Sequence, residues 1–121
     1  MNAHLIVILS CLILMMPSCA TSQSQFTRLD GRIHDSKPKD FDILVFSDQA
    51  PTRPYEVIAR LDVHLEKSHF VGSDLHNALP LLKQQAKQSG ADAIIEIKER
   101  SSQVAETRIY HVTAKAIFFT D

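Results

Sequence analysis

Over residues 55–66 the chain alternates without a break. Tyr55, Val57, Ala59, Leu61, Val63 and Leu65 fall on one side; Glu56, Ile58, Arg60, Asp62, His64 and Glu66 fall on the other. Successive side chains of a strand point to opposite faces, so this period of two predicts a long β-strand with one buried face and one that is polar apart from Ile58. Such a strand cannot stand alone, because its apolar face needs a second layer to cover it. Leu75, Leu79, Leu82 and Ala86 supply that layer, recurring at spacings of four, three and four, the stripe of an amphipathic helix. Asn77 is the expected N-cap, which would place Pro80 in the first turn, where its missing N–H costs no hydrogen bond. Gly90 closes the helix as a residue that accepts left-handed backbone.

The apolar run of residues 41–47, ended by Asp48 and the prolines Pro51 and Pro54, predicts a first strand and a loop. Residues 91–98, with Ala93, Ile95 and Ile97 on one face, predict a third strand, and Tyr110, Val112, Ala114, Ala116 and Phe118 alternate into a fourth. The expected fold is α+β: a four-stranded, mainly antiparallel sheet with one helix packed on one face, in the order β-β-α-β-β. Ala93, Ala114 and Ala116 are the expected small residues beneath the helix. Ile58, Ile94, Ile117 and Phe119 would form an apolar strip on the opposite face, an interaction surface for a partner protein or for self-association.

Both cysteines, Cys11 and Cys19, precede this folded part, so it can hold no disulfide, no cysteine-bound zinc and no cysteine nucleophile. Residues 5–16 are apolar except for Ser10 and Cys11. As a helix they would span about 18 Å, short of the roughly 30 Å hydrocarbon core of a bilayer, which is the length of a signal-peptide apolar region and not of a stable span. Met16-Pro17-Ser18-Cys19 then resembles the cleavage box of bacterial lipoproteins: an apolar residue, a variable one, a small one, then cysteine. The resemblance implies a signal peptide over residues 1–18, with Cys19 as a lipidated first residue carrying diacylglycerol on its thiol and a fatty acyl group such as palmitate on its amine. It also implies an outer-membrane location facing the periplasm, since Ala20 stands where an Asp would retain the chain in the inner membrane. The alternative is an ordinary secretory peptide and a soluble periplasmic domain. Residues 19–40, polar and interrupted by Gly31 and Pro38, would be the lipidated N-terminus and a flexible tether for a domain over residues 41–121. Fully extended, that tether would reach about 65 to 70 Å from the lipid.

Three segments carry a second resemblance: Pro54-Tyr55-Glu56-Val57-Ile58-Ala59-Arg60, Gln85-Ala86-Lys87-Gln88-Ser89-Gly90 and Ala91-Asp92-Ala93-Ile94-Ile95-Glu96. Together they resemble the strand, helix and Gly-Ala-Asp-Ala-Ile turn of small bacterial envelope domains, among them the Rcs-type stress-sensor lipoproteins and the YbjQ-like domains. The resemblance covers residues 41–121 and implies the α+β fold. The chain lacks the cysteines of those domains, so neither disulfide-held sensing nor metal binding comes with it.

The formal net charge is -1 and no run of five or six like charges occurs, which excludes the footprint of a nucleic-acid binder. His64, His69 and His76 flank one loop and are the candidate metal ligands, with Glu66 or Asp74 beside them, although no pair has a standard ligand spacing. Asp62, Glu66, Asp92, Glu96 and Glu99 are the carboxylates a hydrolase would use, but each shares its face with Lys or Arg, as a solvated surface would. No serine elbow and no phosphate-binding glycine pattern is present. The expectation is therefore a membrane-anchored binding or structural module of the cell envelope, with no catalytic residues and no cofactor. A small-ligand or metal-binding periplasmic domain is the alternative.

Overall fold

The computed structural model describes residues 22–68 and 74–121. They form β1 (Ser22–Arg28), β2 (Leu44–Phe46), β3 (Tyr55–Ser68), α1 (Leu75–Ser89), β4 (Ala93–Val104) and β5 (Thr107–Phe119). The strands lie in the order β1-β3-β5-β4-β2; neighbours are antiparallel except β2, which runs parallel to β4. Among the described residues the α+β class and the single helix agree with the sequence expectation. The sheet is mixed and has five strands, where the sequence led to four.

The additional strand, β1, lies inside the stretch expected to be tether. Its sequence, Ser-Gln-Ser-Gln-Phe-Thr-Arg, has one apolar residue and so no alternation to announce it. An edge strand needs little more: Phe26 packs against the core beside its partner Leu61, and the backbone ladder to β3 runs the whole length of the strand. The rest of the expected tether also belongs to the body. Residues 29–40 wrap the C-terminal end of α1, where the Lys37 N–H donates to the Lys87 carbonyl at 2.8 Å and the Ser36 hydroxyl to the Gln88 carbonyl at 2.9 Å. The Lys37 ammonium then pairs with Asp92 at 2.9 Å.

Two irregularities decide which residues face the helix. A bulge between Val57 and Ala59 reverses the phase of β3, so Ala59, Leu61, Val63 and Leu65 face α1 as expected while Tyr55 and Val57 turn to the other side. A second, between Ile95 and Lys98, puts Glu96 at φ 51° and does the same to β4. Ile94 and Ile97 therefore join the helix-side core, and Ala93 and Ile95 leave it. These shifts overturn the expected apolar strip. Ile58, Ile94 and Ile117 are at most 1% exposed, and only Phe119 is partly accessible. Ile58 and Ile94 lie under the helix; Ile117 lies in a small cluster on the opposite face with Ala93, Ile95, Phe46, Tyr55, Val57 and Phe119. Ala114 and Ala116 are buried on the helix side as expected, whereas Ala93 is buried on the other.

The helix starts three residues earlier than the Asn77 cap would have it. Asp74 is the N-cap: its carboxylate accepts from the Asn77 N–H at 3.2 Å, and the Asn77 side chain accepts from the Asp74 N–H at 3.4 Å, a reciprocal box that satisfies two end donors. Pro80 consequently lies inside α1, where it leaves the His76 carbonyl without its helical donor; both residues are on the exposed side, within reach of water. Gly90 ends the helix at φ 87°, and its N–H returns to the Ala86 and Lys87 carbonyls. Its missing side chain matters twice, because a Cβ there would lie 2.5 Å from His34 Cβ and 2.7 Å from the Asp35 carbonyl.

Among the described residues two polar side chains are buried, Ser89, whose hydroxyl donates to the Ala86 carbonyl at 2.8 Å, and Gln85. Gln85, 2% exposed, points from α1 at β3, where its Oε1 accepts from the Asp62 N–H at 3.0 Å and its Nε2 donates to the Asp62 carbonyl at 2.8 Å and to the Ser24 hydroxyl of β1. The amide thus gives Asp62 the pair of bonds that a neighbouring peptide would give. Gln85→Leu is expected to cost about 1 to 3 kcal/mol by leaving those backbone groups unpaired. Gly90→Ala is expected to cost about 2 to 4 kcal/mol, from left-handed strain and the clash together. Gly31→Ala is the control: at φ 65° with open space around it, it should cost only about 1 to 2 kcal/mol. Urea unfolding of the three variants measures each.

Candidate functional site

The helix covers one face of the sheet and leaves most of the other bare. Once past its bulge, β3 places Arg60, Asp62, His64 and Glu66 on the open face. There they meet His111, Thr113 and Lys115 of β5, and β4 adds Glu96, Lys98 and Arg100. The register sets these in cross-strand rows: Asp62, Thr113 and Lys98 in one, His64, His111 and Arg100 in the next.

Every carboxylate in this patch is engaged. His111 Nε2 lies 2.6 Å from Asp62 Oδ1, and Arg60 approaches the second oxygen at 3.5 Å. His64 Nε2 lies 2.9 Å from Glu66 Oε1. A carboxylate can only accept, so Nε2 carries the proton in both rings. The imidazoles stand 6.0 Å apart, edge to face. Glu96 is hydrogen-bonded to Lys115, whose ammonium, with the charge of Lys98 nearby, holds the Glu96 carboxyl below its ordinary 4.5. Among the described residues neither Lys98 nor Arg100 is hydrogen-bonded to a carboxylate. Between these side chains runs a shallow trough in two lobes of about 250 and 280 Å³, which share Arg60, Lys98 and Thr113. Four cations and a hydroxyl around an open depression can hold an anionic group.

The expected histidine cluster is not assembled. His64 is on the open face, while His76 is exposed in the first turn of α1, on the far side of the sheet; His69 lies outside the described residues. His64 is instead opposed by His111, a residue the sequence reading had not grouped with it, because only the β3–β5 register brings the two together. Among the described residues no three His, Cys, Asp or Glu side chains are grouped to hold a metal ion. The other carboxylates serve the fold: Asp92 accepts from the Phe119 N–H at 2.9 Å as well as pairing with Lys37, and Glu99 takes the Tyr110 hydroxyl at 2.5 Å. Burial, reinforced by the Glu99 carboxylate, pushes the Tyr110 phenol far above its usual range.

Phe119, the accessible member of the expected strip, lies beneath the Arg53 guanidinium at 4.0 Å and borders a separate depression with Phe41, Leu44 and Asp92. The expected signal peptide and Cys19 lie outside the described residues. Among the described residues no helix is long and apolar enough to cross a membrane. No family model, no curated protein and no solved structure matches this chain.

Proposed function

We propose that the chain is a lipid-anchored module of the bacterial cell envelope, held to the outer membrane through Cys19 and facing the periplasm, which binds an acidic protein segment on the open face of its sheet. The observation that carries the binding part is the patch around Thr113, where the carboxylates are already engaged and Lys98 and Arg100 are not. Each is mounted on a paired strand, so the backbone beneath it needs no ordering when an anion arrives. A trough this shallow could bury only a small part of a drug-sized ligand, whereas ligand pockets bury most of theirs, which favours a macromolecular surface over a small molecule. The role in this reading is binding, because the side chains left without a carboxylate partner, Lys98 and Arg100, are cationic groups that attract an anion.

The anchor reading rests on Met16-Pro17-Ser18-Cys19. Burying acyl chains contributes about 0.8 kcal/mol per methylene, so the two or three chains of a lipoprotein would hold it on a bilayer essentially permanently. Mass spectrometry of the native protein should find Cys19 as the first residue carrying diacylglycerol, and Cys19→Ser should move the protein to the soluble fraction; an unmodified N-terminus would overturn the anchor. For the open face, titration with poly-glutamate should show binding that weakens with salt. Lys98→Glu combined with Arg100→Glu should weaken it by about tenfold or more, each lost exposed pair being worth up to about 1 kcal/mol. Equal binding by the double variant would remove the site.

A further inference from the structure

We infer that the acidic segment is held as an added β-strand, paired along the outer edge of β4 over residues 97–104. The inference deepens the open-face reading given above and rests on it: that reading names the charge of the partner, and the edge sets the partner's conformation and the spacing of its carboxylates.

The first observation is the sheet order. On one side β4 has β5 from end to end, from Ala93 opposite Ile117 to Val104 opposite Thr107. On the other side it has β2, and only opposite Ala93, Ile94 and Ile95. Among the described strands the rest of β4, residues 97–104, therefore has an open edge. In a ladder every second residue turns its N–H and C=O away from its partner, so this stretch offers about four of each in the geometry that a further strand uses. Residues 98–106 are all exposed, and no described element covers them. At roughly 3.3 Å per residue the edge runs for about 25 Å, room for about seven or eight residues of a partner.

The second observation is which side chains line that edge. Pairing with Thr113 and His111 puts Lys98 and Arg100 on the open face, two positions apart. A residue of an interior strand has a cross-strand neighbour on each side, whereas Lys98 and Arg100 have one each, because β2 stops before it reaches them. An added strand supplies the second neighbour of both from two of its own residues, themselves two apart and on the same face. Opposite a lysine and an arginine that have no carboxylate partner, those two residues are acidic. On the helix side Glu99 already takes the Tyr110 hydroxyl, and Ser101 and Gln103 are neutral, so the residues between the carboxylates are uncharged. The segment that fits is extended, with an acid at every second position. Charges on a sheet edge guard it against stray pairing. These two are of one sign, so they turn away a like-charged strand and admit an acidic one.

A capped peptide alternating threonine and glutamate, with threonine at both ends, tests the inference and reads the same in either direction. It is titrated into the full-length protein in three forms: unmodified, N-methylated at every threonine, and N-methylated at every glutamate. Methylation keeps the charge and removes the N–H groups of one strand edge, so one methylated form should bind about tenfold or more weakly than the other. Hydrogen exchange should slow at alternate amides of residues 97–104 when the unmodified peptide binds, and should be unchanged along the outer edge of β1. Lys98→Glu combined with Arg100→Glu should take up the threonine–lysine counterpart of the peptide instead. Two methylated forms that bind alike, with no new protection in β4, overturn the added strand, and binding of poly-glutamate in the same protein leaves the open-face site standing. Failure of both the peptide and poly-glutamate to bind overturns both readings.

Discussion

The amide of Gln85 is the contact through which the layers of this domain are held in register. From a helix it reaches a strand backbone and satisfies both polar groups of Asp62, and the same Nε2 reaches the hydroxyl of Ser24 on the edge strand. Apolar contacts alone would let α1 slide over the smooth alanine surface of Ala59, Ala114 and Ala116, since burial has no preferred direction. A buried amide does have one. It allows a single placement of the helix along β3, and that placement fixes Asp62, whose carboxylate holds His111 on the other side of the sheet. One glutamine thereby links packing under the helix to the order of the open face.

What the sequence revealed follows from this division of labour. Features of one segment were legible: the alternation of residues 59–65, the leucine stripe of α1, the glycine that ends it and the long β5. Features that depend on pairing were not. The two bulges cannot be read from periodicity, because each one reverses the phase of a strand whose composition stays the same, and with them went the assignment of Ile58 and Ile94 to an outer surface; Ile117 keeps its expected face and is covered there by its neighbours. β1 was missed because a polar edge strand owes its place to the ladder of its neighbour and to one phenylalanine. The candidate site was half legible: Arg60, Asp62, His64 and Glu66 were recognised as an outer polar row, but their partners on β4 and β5 follow only from register.

The open face owes its character to how its charges are shared. Three carboxylates take up two imidazoles, one lysine and part of one arginine, so the surface is nearly neutral when counted and uneven when mapped. The unevenness falls on β4, beyond the second bulge. There Glu96 adopts left-handed backbone, a conformation costing about 1 to 2 kcal/mol in a residue with a side chain. That same distortion lets Glu96 reach Lys115 while Lys98 and Arg100 remain beside Thr113. Local strain in the strand and the location of the unengaged cations are two results of one irregularity.

The position of β5 in the sheet order sets the timing of folding. It is the middle of the five described strands and follows both its neighbours in sequence, so β3 and β4 have no common neighbour until β5 has been made. Nor can β2, made early, dock until β4 exists to receive it. Contacts so distant in sequence form late and leave a nascent chain without a stable partial structure. A polypeptide wired in this way stays threadable while it is being synthesised, and acquires its architecture only after β5 has emerged.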